Sequence, residues 1–523
     1  MALGTSAEVA AVEPIHAVRT ALRLLSNLAF CLLLASHGGR ASADERVGVG
    51  SLTPRARAEL GSSVTVIDRE EIERRGVAFA SDLLREVPGV AVNRTGSFGS
   101  LTQVRIRGSE GNHTLVMIDG IEVNDPANND EFDFGNLLTQ DIERIEVLRG
   151  PQSALYGSES IGGVINVITR ELPEGVHGEV QVEAGSFGTR RVNAILGGGG
   201  VDWRLTGSVN FLDTHGISDS PAGGERDGYR NHTYNLRGMA RLAPSLQVGG
   251  TLRYGREDHE RDEQTFMGLP TDGLIVNSRD HSNGEHGSGR AWAQLSLFED
   301  RWVHRLEASK LDTKRDERDD GLLQSETRGD KRRYRYQTTV SLDALGAAHS
   351  LTGAFEHEQN RFDNRAFTPS LLGSDQSRKI DSNSWIGEYR IGFRDALFVS
   401  GSLRRDDNDR FDDATSYRAT LSYTAPWKYT RFHASYGEGV QNPGMFELFG
   451  FFSDFFKGNP NLKPETSEGW EIGLEQELFA GAATFGLTYF EADLEDEIDG
   501  FVFDPTSFLF TAENILGRSE REG

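Results

Sequence analysis

The sequence predicts a large transmembrane β-barrel preceded by a compact α/β domain. Three observations carry that prediction. The chain has 523 residues, more than one ordinary domain holds. From Gly178 onward apolar and polar residues alternate with a period of two, the mark of strands with one apolar face. No run of about 18 uncharged apolar residues occurs, so a bundle of membrane helices is excluded. A mean hydropathy of −0.46 does not exclude a barrel, because only alternate residues of each strand meet lipid.

The α/β domain is read between residues 62 and 171. Ser63-Val64-Thr65-Val66-Ile67 is β-branched and reads as a strand. Asp68 and Glu71 form a capping pair for a helix over 70–75, which Gly76 stops. A second helix over 81–86 ends at Pro88-Gly89, and short strands follow at 103–107, 115–118, 142–148 and 164–168. Asp119-Gly120 joins two of the apolar segments as a hairpin turn. Ahead of this domain, residues 1–43 read as an export signal. Arg19 and Arg23 precede an apolar stretch, and Ala41-Ser42-Ala43 offers a small-x-small cleavage site. The only cysteine, Cys31, falls inside that signal, so the exported chain has neither disulfide nor thiolate site. Residues 44–61 read as a polar, flexible segment.

Residues 172–523 read as a succession of strands. Val180, Val182 and Ala184 alternate with Glu179, Gln181 and Glu183. Trp203, Leu205, Val209 and Phe211 alternate with Arg204, Thr206, Ser208 and Asn210. Periodicity alone fits a soluble sandwich as well as a barrel; segment lengths and the long polar loops read at 213–231, 256–287 and 312–331 favour the barrel. A formal net charge of −25 argues against a nucleic-acid partner, which needs a basic face; it fits either solvated loops or an acidic mouth that attracts cations or a cationic ligand. No nucleophile–base constellation and no clustered metal ligands are evident, so catalysis is not expected.

Five motifs in order then identify a family. Val104-Arg105-Ile106-Arg107-Gly108, Leu115-Val116-Met117-Ile118-Asp119-Gly120 and Ile142-Glu143-Arg144-Ile145-Glu146-Val147-Leu148-Arg149-Gly150-Pro151 resemble the plug of TonB-dependent outer-membrane receptors. Ser153-Ala154-Leu155-Tyr156-Gly157 and Ile161-Gly162-Gly163-Val164-Ile165-Asn166-Val167-Ile168-Thr169 continue the match. A second signature lies in the barrel, where Tyr436-Gly437-Glu438-Gly439 leads to Gly458-Asn459-Pro460-Asn461-Leu462 and Trp470-Glu471-Ile472-Gly473.

The resemblance implies a 22-stranded type of transmembrane β-barrel with the α/β plug domain in its lumen. It implies active uptake of a scarce, bulky ligand, cobalamin or a ferric siderophore, with the plug most like the cobalamin-receptor branch. TonB, energised by the proton-motive force, would pull on Glu45-Arg46-Val47-Gly48-Val49-Gly50-Ser51, a divergent TonB box whose glycines interrupt an extended strand. Arg107 and Arg149 match plug arginines that face wall glutamates, and Glu471 matches one partner. His113 and Asn112 are candidate ligand contacts. Asp219, Glu225 and Asp227 are candidate Ca²⁺ ligands in an early barrel loop. No covalent cofactor and no nucleic acid are implied; the partners are TonB, outer-membrane lipid and the small-molecule ligand, and the receptor is expected as a monomer. The family ends in a terminal aromatic strand, whereas this sequence ends Asn514-Ile515-Leu516-Gly517-Arg518 to Gly523. The last strands are therefore expected to be missing, roughly six of them. The alternative to transport is a non-functional truncated receptor fragment.

Overall fold

The structure is a computed structural model that describes residues 46–523 except 222, 265–273, 368–374, 428, 453–454 and 480–482. The export signal and Glu45 lie outside the described residues. Two sheets organise the rest: a small mixed sheet in the plug and a long antiparallel sheet that curves around it.

The plug sheet runs in the order Val64–Ile67, Ile142–Arg149, Gly163–Thr169, Thr114–Ile118, Ile121–Glu122. Its only parallel pair joins Gly163–Thr169 to Thr114–Ile118. The period of two gives this sheet two buried faces. Ile145, Val147, Ile165 and Val167 pack with Ile72, Leu83 and Leu84 of the helices Arg69–Arg75 and Ala80–Leu84. Leu148, Val164 and Leu115 point the other way, onto Val47, Val49 and Leu60. The N-terminal segment thus supplies the second layer of the plug, where the sequence suggests a flexible tail.

Local signals explain the plug's elements. Asp68 accepts the amide of Glu71 at 2.9 Å and caps the helix Arg69–Arg75, which Gly76 ends in a left-handed conformation with φ 62°. The Asp119-Gly120 turn closes the hairpin that pairs Ile118 with Ile121. Two elements have no clear sequence signal: the strand Val90–Arg94, which pairs with Thr102–Ile106, and the single turn Ser153–Tyr156.

Among the described residues the wall is one sheet of sixteen strands, from Gly175–Ala184 to Arg518–Glu522, antiparallel throughout. Its first and last strands are not paired with each other. Burial is inverted relative to a soluble sandwich. Along Ala414–Thr424, Ser416, Arg418, Thr420 and Ser422 are buried while Tyr417, Leu421 and Tyr423 are exposed. Along Leu397–Asn408 the buried set is Ser400, Ser402 and Arg404, and Val399 and Leu403 are exposed. Polar side chains therefore face the plug and apolar ones face outward, as lipid requires.

The long polar loops read at 256–287 and 312–331 are mostly strand. Leu246–Gln264 pairs with Ile275–Leu297, and Trp302–Asp319 turns at Asp320-Gly321 into Leu322–Ala344. The segment 213–231 likewise keeps only a short connection between Trp203–Ile217 and Asp227–Ala243. Beyond the lipid both faces of a strand meet water, so the alternation that marks strands disappears from the sequence. Charge pairs hold these extensions instead, including Lys314 with Glu326 at 3.2 Å and Arg261 with Glu317 at 2.7 Å. One end of the wall has short turns, such as Leu345-Gly346; the other carries a four-stranded sheet built from Phe451–Phe452, Phe456–Lys457, Ile498–Asp504 and Leu509–Asn514.

If Leu421 faces lipid, Leu421→Arg should destabilise the refolded protein in vesicles by about 2–4 kcal/mol near mid-bilayer. Leu516→Arg, in an exposed connection, should change it by less than about 0.5 kcal/mol. Urea unfolding midpoints decide this, and equal effects at the two positions would contradict the orientation.

Candidate functional site: the plug seat, its N-terminal segment and the outer bowl

The lumen wall grips the plug through charges buried at their interface. Arg107, in the left-handed region with φ 53°, reaches Glu471 on the strand Glu465–Leu478 at 2.5 Å. Its guanidinium also lies 4.2 Å from the centre of the Phe490 ring. The other Glu471 oxygen accepts the Ser63 amide at 2.6 Å, so one wall carboxylate holds two plug strands. Arg149 forms no ion pair with a wall glutamate among the described residues, although Glu471 lies near enough to act on it. Its guanidinium turns back across the plug to Pro88 O at 2.8 Å, Ser63 Oγ at 2.9 Å and Thr65 Oγ1 at 2.6 Å. Burial, and after it the neighbouring Arg107, push Arg149 down to about 10. Neutral oxygens satisfy it where a carboxylate was expected.

The deepest charge cluster escaped the sequence reading. Lys331, at the end of a segment read as loop, and Arg333 just beyond it are lumen-facing residues of the strand Leu322–Ala344. Lys331 pairs with Glu122 and, at 3.3 Å, with Glu159 of the plug; Arg333 bridges Glu122 to the wall residue Glu358. Burial works against ionisation of Glu122, but Arg333 and Lys331 hold its carboxyl far below the usual carboxylate range. Burial and then Glu122 drive Glu159 the opposite way, well above it. The only sequence signal was the basic run Lys331-Arg332-Arg333. Further grips are Arg253 on Asp141 at 3.3 Å, Arg237 on Asp119 at 3.0 Å and Arg418 on Ser62 Oγ at 2.7 Å.

His113 and Asn112 are placed differently from the expectation. Both are buried, so neither is a contact for a ligand arriving from outside. His113 Nε2 lies 2.6 Å from Glu465 of the wall. Burial alone would lower the imidazole, but Glu465 raises it above the usual histidine range. The His113 carbonyl accepts the Gly162 amide at 2.8 Å, and Ser109 and Thr114 are buried with it, so this loop is held against the plug.

The segment Arg46–Ser51 lies against the plug at the short-turn end. Arg46–Val47 pairs with Arg55–Ala56 as a two-residue ladder. The Gly48 amide donates to Glu146 Oε2 at 2.9 Å, and Asn166 Nδ2 and Arg144 Nε, at 2.9 and 2.8 Å, complete the shell of that buried carboxylate. A Cβ at position 48 would meet Asn166 Nδ2 at 3.1 Å and Glu146 Oε2 at 3.2 Å, so glycine permits the close approach. Beyond this point Ser51 Oγ and the Leu52 amide both donate to the wall residue Glu388, at 2.8 and 3.0 Å. The glycines that interrupt an extended strand are what fold this segment onto the plug.

At the opposite end, a bowl of about 340 Å³ opens between the plug apex Thr95–Leu101 and the wall, lined by Asp219, Asp262, His259 and Arg315 among others. Gly99 forms the apex at φ 85°, where a side chain would collide with the Tyr229 ring. The acidic triad also needs correcting: Glu225 and Asp227 converge with Asp262, their oxygens within 4.8 Å, rather than with Asp219. Asp219 turns its amide to Asp227 Oδ2 at 2.7 Å. Asp262 already accepts Ser220 N at 2.7 Å and Ser278 N at 3.0 Å.

A plug seated by wall charges inside a polar-lined, lipid-facing sheet defines a gated outer-membrane receptor. Residues 184–523 match the family model "TonB dependent receptor-like, beta-barrel", and residues 56–164 match "TonB-dependent Receptor Plug Domain". The chain belongs to the TonB-dependent receptor family and is an outer-membrane protein. A curated relative, the vitamin B12 transporter BtuB of Vibrio vulnificus, is 27% identical over 443 residues, 84% of this chain and 68% of the relative. Among solved structures, the siderophore receptor PirA of Acinetobacter baumannii superposes with a TM-score of 0.70 at 20% identity, covering 89% of this chain and 77% of that one. The ferric enterobactin receptor PfeA of Pseudomonas aeruginosa gives a TM-score of 0.71 at 20% identity, covering 89% and 78%.

Two outcomes follow. Glu471→Gln, which leaves Arg107 without its buried counter-charge, should destabilise the receptor by about 3–5 kcal/mol, and adding Arg107→Met should recover at least half. Additive losses in thermal or denaturant unfolding would show that the pair is not coupled. The His113–Glu465 pair should be pH-sensitive. A histidine raised on folding contributes fully below its unfolded value and loses that contribution as pH rises through its folded value. His113→Gln should therefore lower the melting temperature more at pH 6 than at pH 9; a deficit independent of pH would contradict the assignment.

Proposed function

We propose that this receptor takes up a scarce, bulky ligand across the outer membrane, with cobalamin the first cargo and a ferric siderophore the second. The observation that carries this is the seated plug itself: it fills the lumen, is held by buried ion pairs, and keeps its N-terminal segment at the short-turn end. A wide barrel without such a plug would leak, and a plug that never moved would pass nothing.

In this reading TonB engages Arg46–Ser51 by strand addition and delivers the proton-motive force as a pull. The ladder it would replace is two residues long, with Arg46 exposed at its edge. Once the segment leaves, Leu115, Leu148 and Val164 lose their cover and Glu146 loses the Gly48 amide, so the pull acts directly on the plug sheet. Cobalamin is placed first because the curated relative is a vitamin B12 transporter, and because the bowl carries Asp133, Asp219, Glu257, Asp262 and Asp280 against Arg261 and Arg315. An acidic mouth disfavours a highly anionic chelate. The siderophore reading rests on the structural neighbours. Calcium bound at Glu225, Asp227 and Asp262 belongs to this proposal as a screen for that acidity; calcium takes six to eight oxygens, so neighbouring carbonyls would have to join. No catalytic step is proposed.

The test uses cells lacking their own cobalamin receptor and expressing this chain. Radiolabelled cyanocobalamin should accumulate, and deletion of residues 46–51 should abolish accumulation while surface binding persists. Accumulation of ferric enterobactin alone would favour the second cargo. Failure of both ligands to bind or accumulate would overturn the proposal.

A further inference from the structure

Behind the plug, at the short-turn end, lies a second and larger chamber of about 720 Å³ between the plug and the wall. Six arginines line it against two carboxylates. Arg46 and Arg55 come from the N-terminal segment, which forms one side, while Arg237, Arg290, Arg305 and Arg335 come from the wall. The carboxylates do not neutralise this set. Arg290 and Arg305 share Glu307, the latter at 3.3 Å, and Arg290 also donates to the Asp119 carbonyl at 2.6 Å. Arg237 takes the Asp119 carboxylate at 3.0 Å and Glu171 at 3.4 Å; Arg335 pairs with Glu356 at 3.0 Å. Even with Glu171 and Glu356 included, and Glu59 and Glu388 beside Arg55, guanidiniums outnumber carboxylates, because Arg390 shares the last two. The Nε–H groups of Arg55, Arg290 and Arg335 are buried without a hydrogen-bond partner.

The protein thus keeps an excess of cations around this chamber in a chain whose net charge is −25. Concentrating like charges in a confined space is costly unless something anionic offsets them. Asp119 is the one plug acid in the lining and is already counted; Glu122 and Glu159 are committed to Lys331. Guanidiniums with spare donors bind planar oxyanions well, and Gln294, Gln337 and Ser341 add neutral polar groups.

We propose that this chamber is a transit subsite for an oxyanion group of the cargo, a phosphodiester or carboxylate, as it passes the plug. The inference rests on the uptake reading for its purpose but not for its test. Polarity then reverses along the path: the outer bowl is acidic, the inner chamber basic, and the N-terminal segment is one wall of the basic end.

The test reads charge directly. In the full chain with Cys31→Ser, a single Ser341→Cys is labelled with anionic sulfonatoethyl and cationic trimethylammonioethyl methanethiosulfonates; Ser186→Cys, in an exposed turn, is the reference. Each kT of positive potential should favour the anionic reagent by roughly sevenfold relative to the reference. Arg305→Gln with Arg335→Gln should collapse that preference, and Arg305→Lys with Arg335→Lys should retain it, which separates charge from misfolding. Citrate should slow labelling at Ser341→Cys and not at Ser186→Cys. A ratio equal to the reference, or no protection by citrate, overturns the subsite. Loss of cobalamin accumulation with the labelling preference intact would overturn the cargo and leave the chamber standing.

Discussion

A lumen lined by polar side chains has to be filled by something that answers its charges, and most features of this molecule follow from that constraint. Strands in lipid must turn their apolar residues outward, so Ser, Thr, Arg and Glu collect on the inside. Left facing only one another, these charges would have to keep water. Facing the plug, they become its seat. Glu471 takes Arg107 and the Ser63 amide, Lys331 takes Glu122 and Glu159, and Arg253 takes Asp141. Buried pairs of this kind contribute little net stability over apolar packing, yet breaking one side of a pair is expensive. They fix where the plug sits without gluing it by a large hydrophobic contact, as the proposed uptake requires.

In the uptake proposed here, the N-terminal segment is what would tie this seat to the energy source. Val47 and Val49 cover one face of the plug sheet, Gly48 reaches the buried Glu146, and Ser51 and Leu52 tie the segment to Glu388 on the wall. A pull applied there uncovers the sheet face and unloads a buried carboxylate before it acts on any of the wall pairs. The segment is also one side of the arginine-lined chamber, so the same movement would widen the space behind the plug. Handle, plug core and inner chamber share residues.

The legible part of this architecture was the part where one face of an element is dry. Val64–Ile67, the capped helix Arg69–Arg75 and the Asp119-Gly120 hairpin were readable because apolar residues, caps and turns obey local rules. The membrane band was readable by alternation, as at Thr206, Ser208 and Asn210 against Leu205, Val209 and Phe211. Where strands leave the lipid, as in residues 312–331, both faces are wet and the pattern vanishes, so Lys331 was taken for a loop residue. Site geometry was less legible still. Arg107 and Glu471 carry family motifs, but nothing local shows that Arg149 is satisfied inside the plug, that His113 is buried against Glu465, or that Asp262, far from Glu225 in sequence, completes the acidic group. Each depends on which strands the register of the sheet sets side by side.

The central claim is that Arg46–Ser51 is a structural layer of the plug and the handle by which it is moved. Hydrogen–deuterium exchange of the purified receptor, with and without the C-terminal domain of TonB, measures this most directly. The account predicts that the Gly48 and Gly50 amides, bonded to Glu146 and Tyr156 in the resting state, are protected alone. On adding TonB that protection should change together with exchange in the adjoining strand Ile142–Arg149. Rapid exchange at Gly48 and Gly50 without TonB, or no change in either segment when it binds, would contradict it.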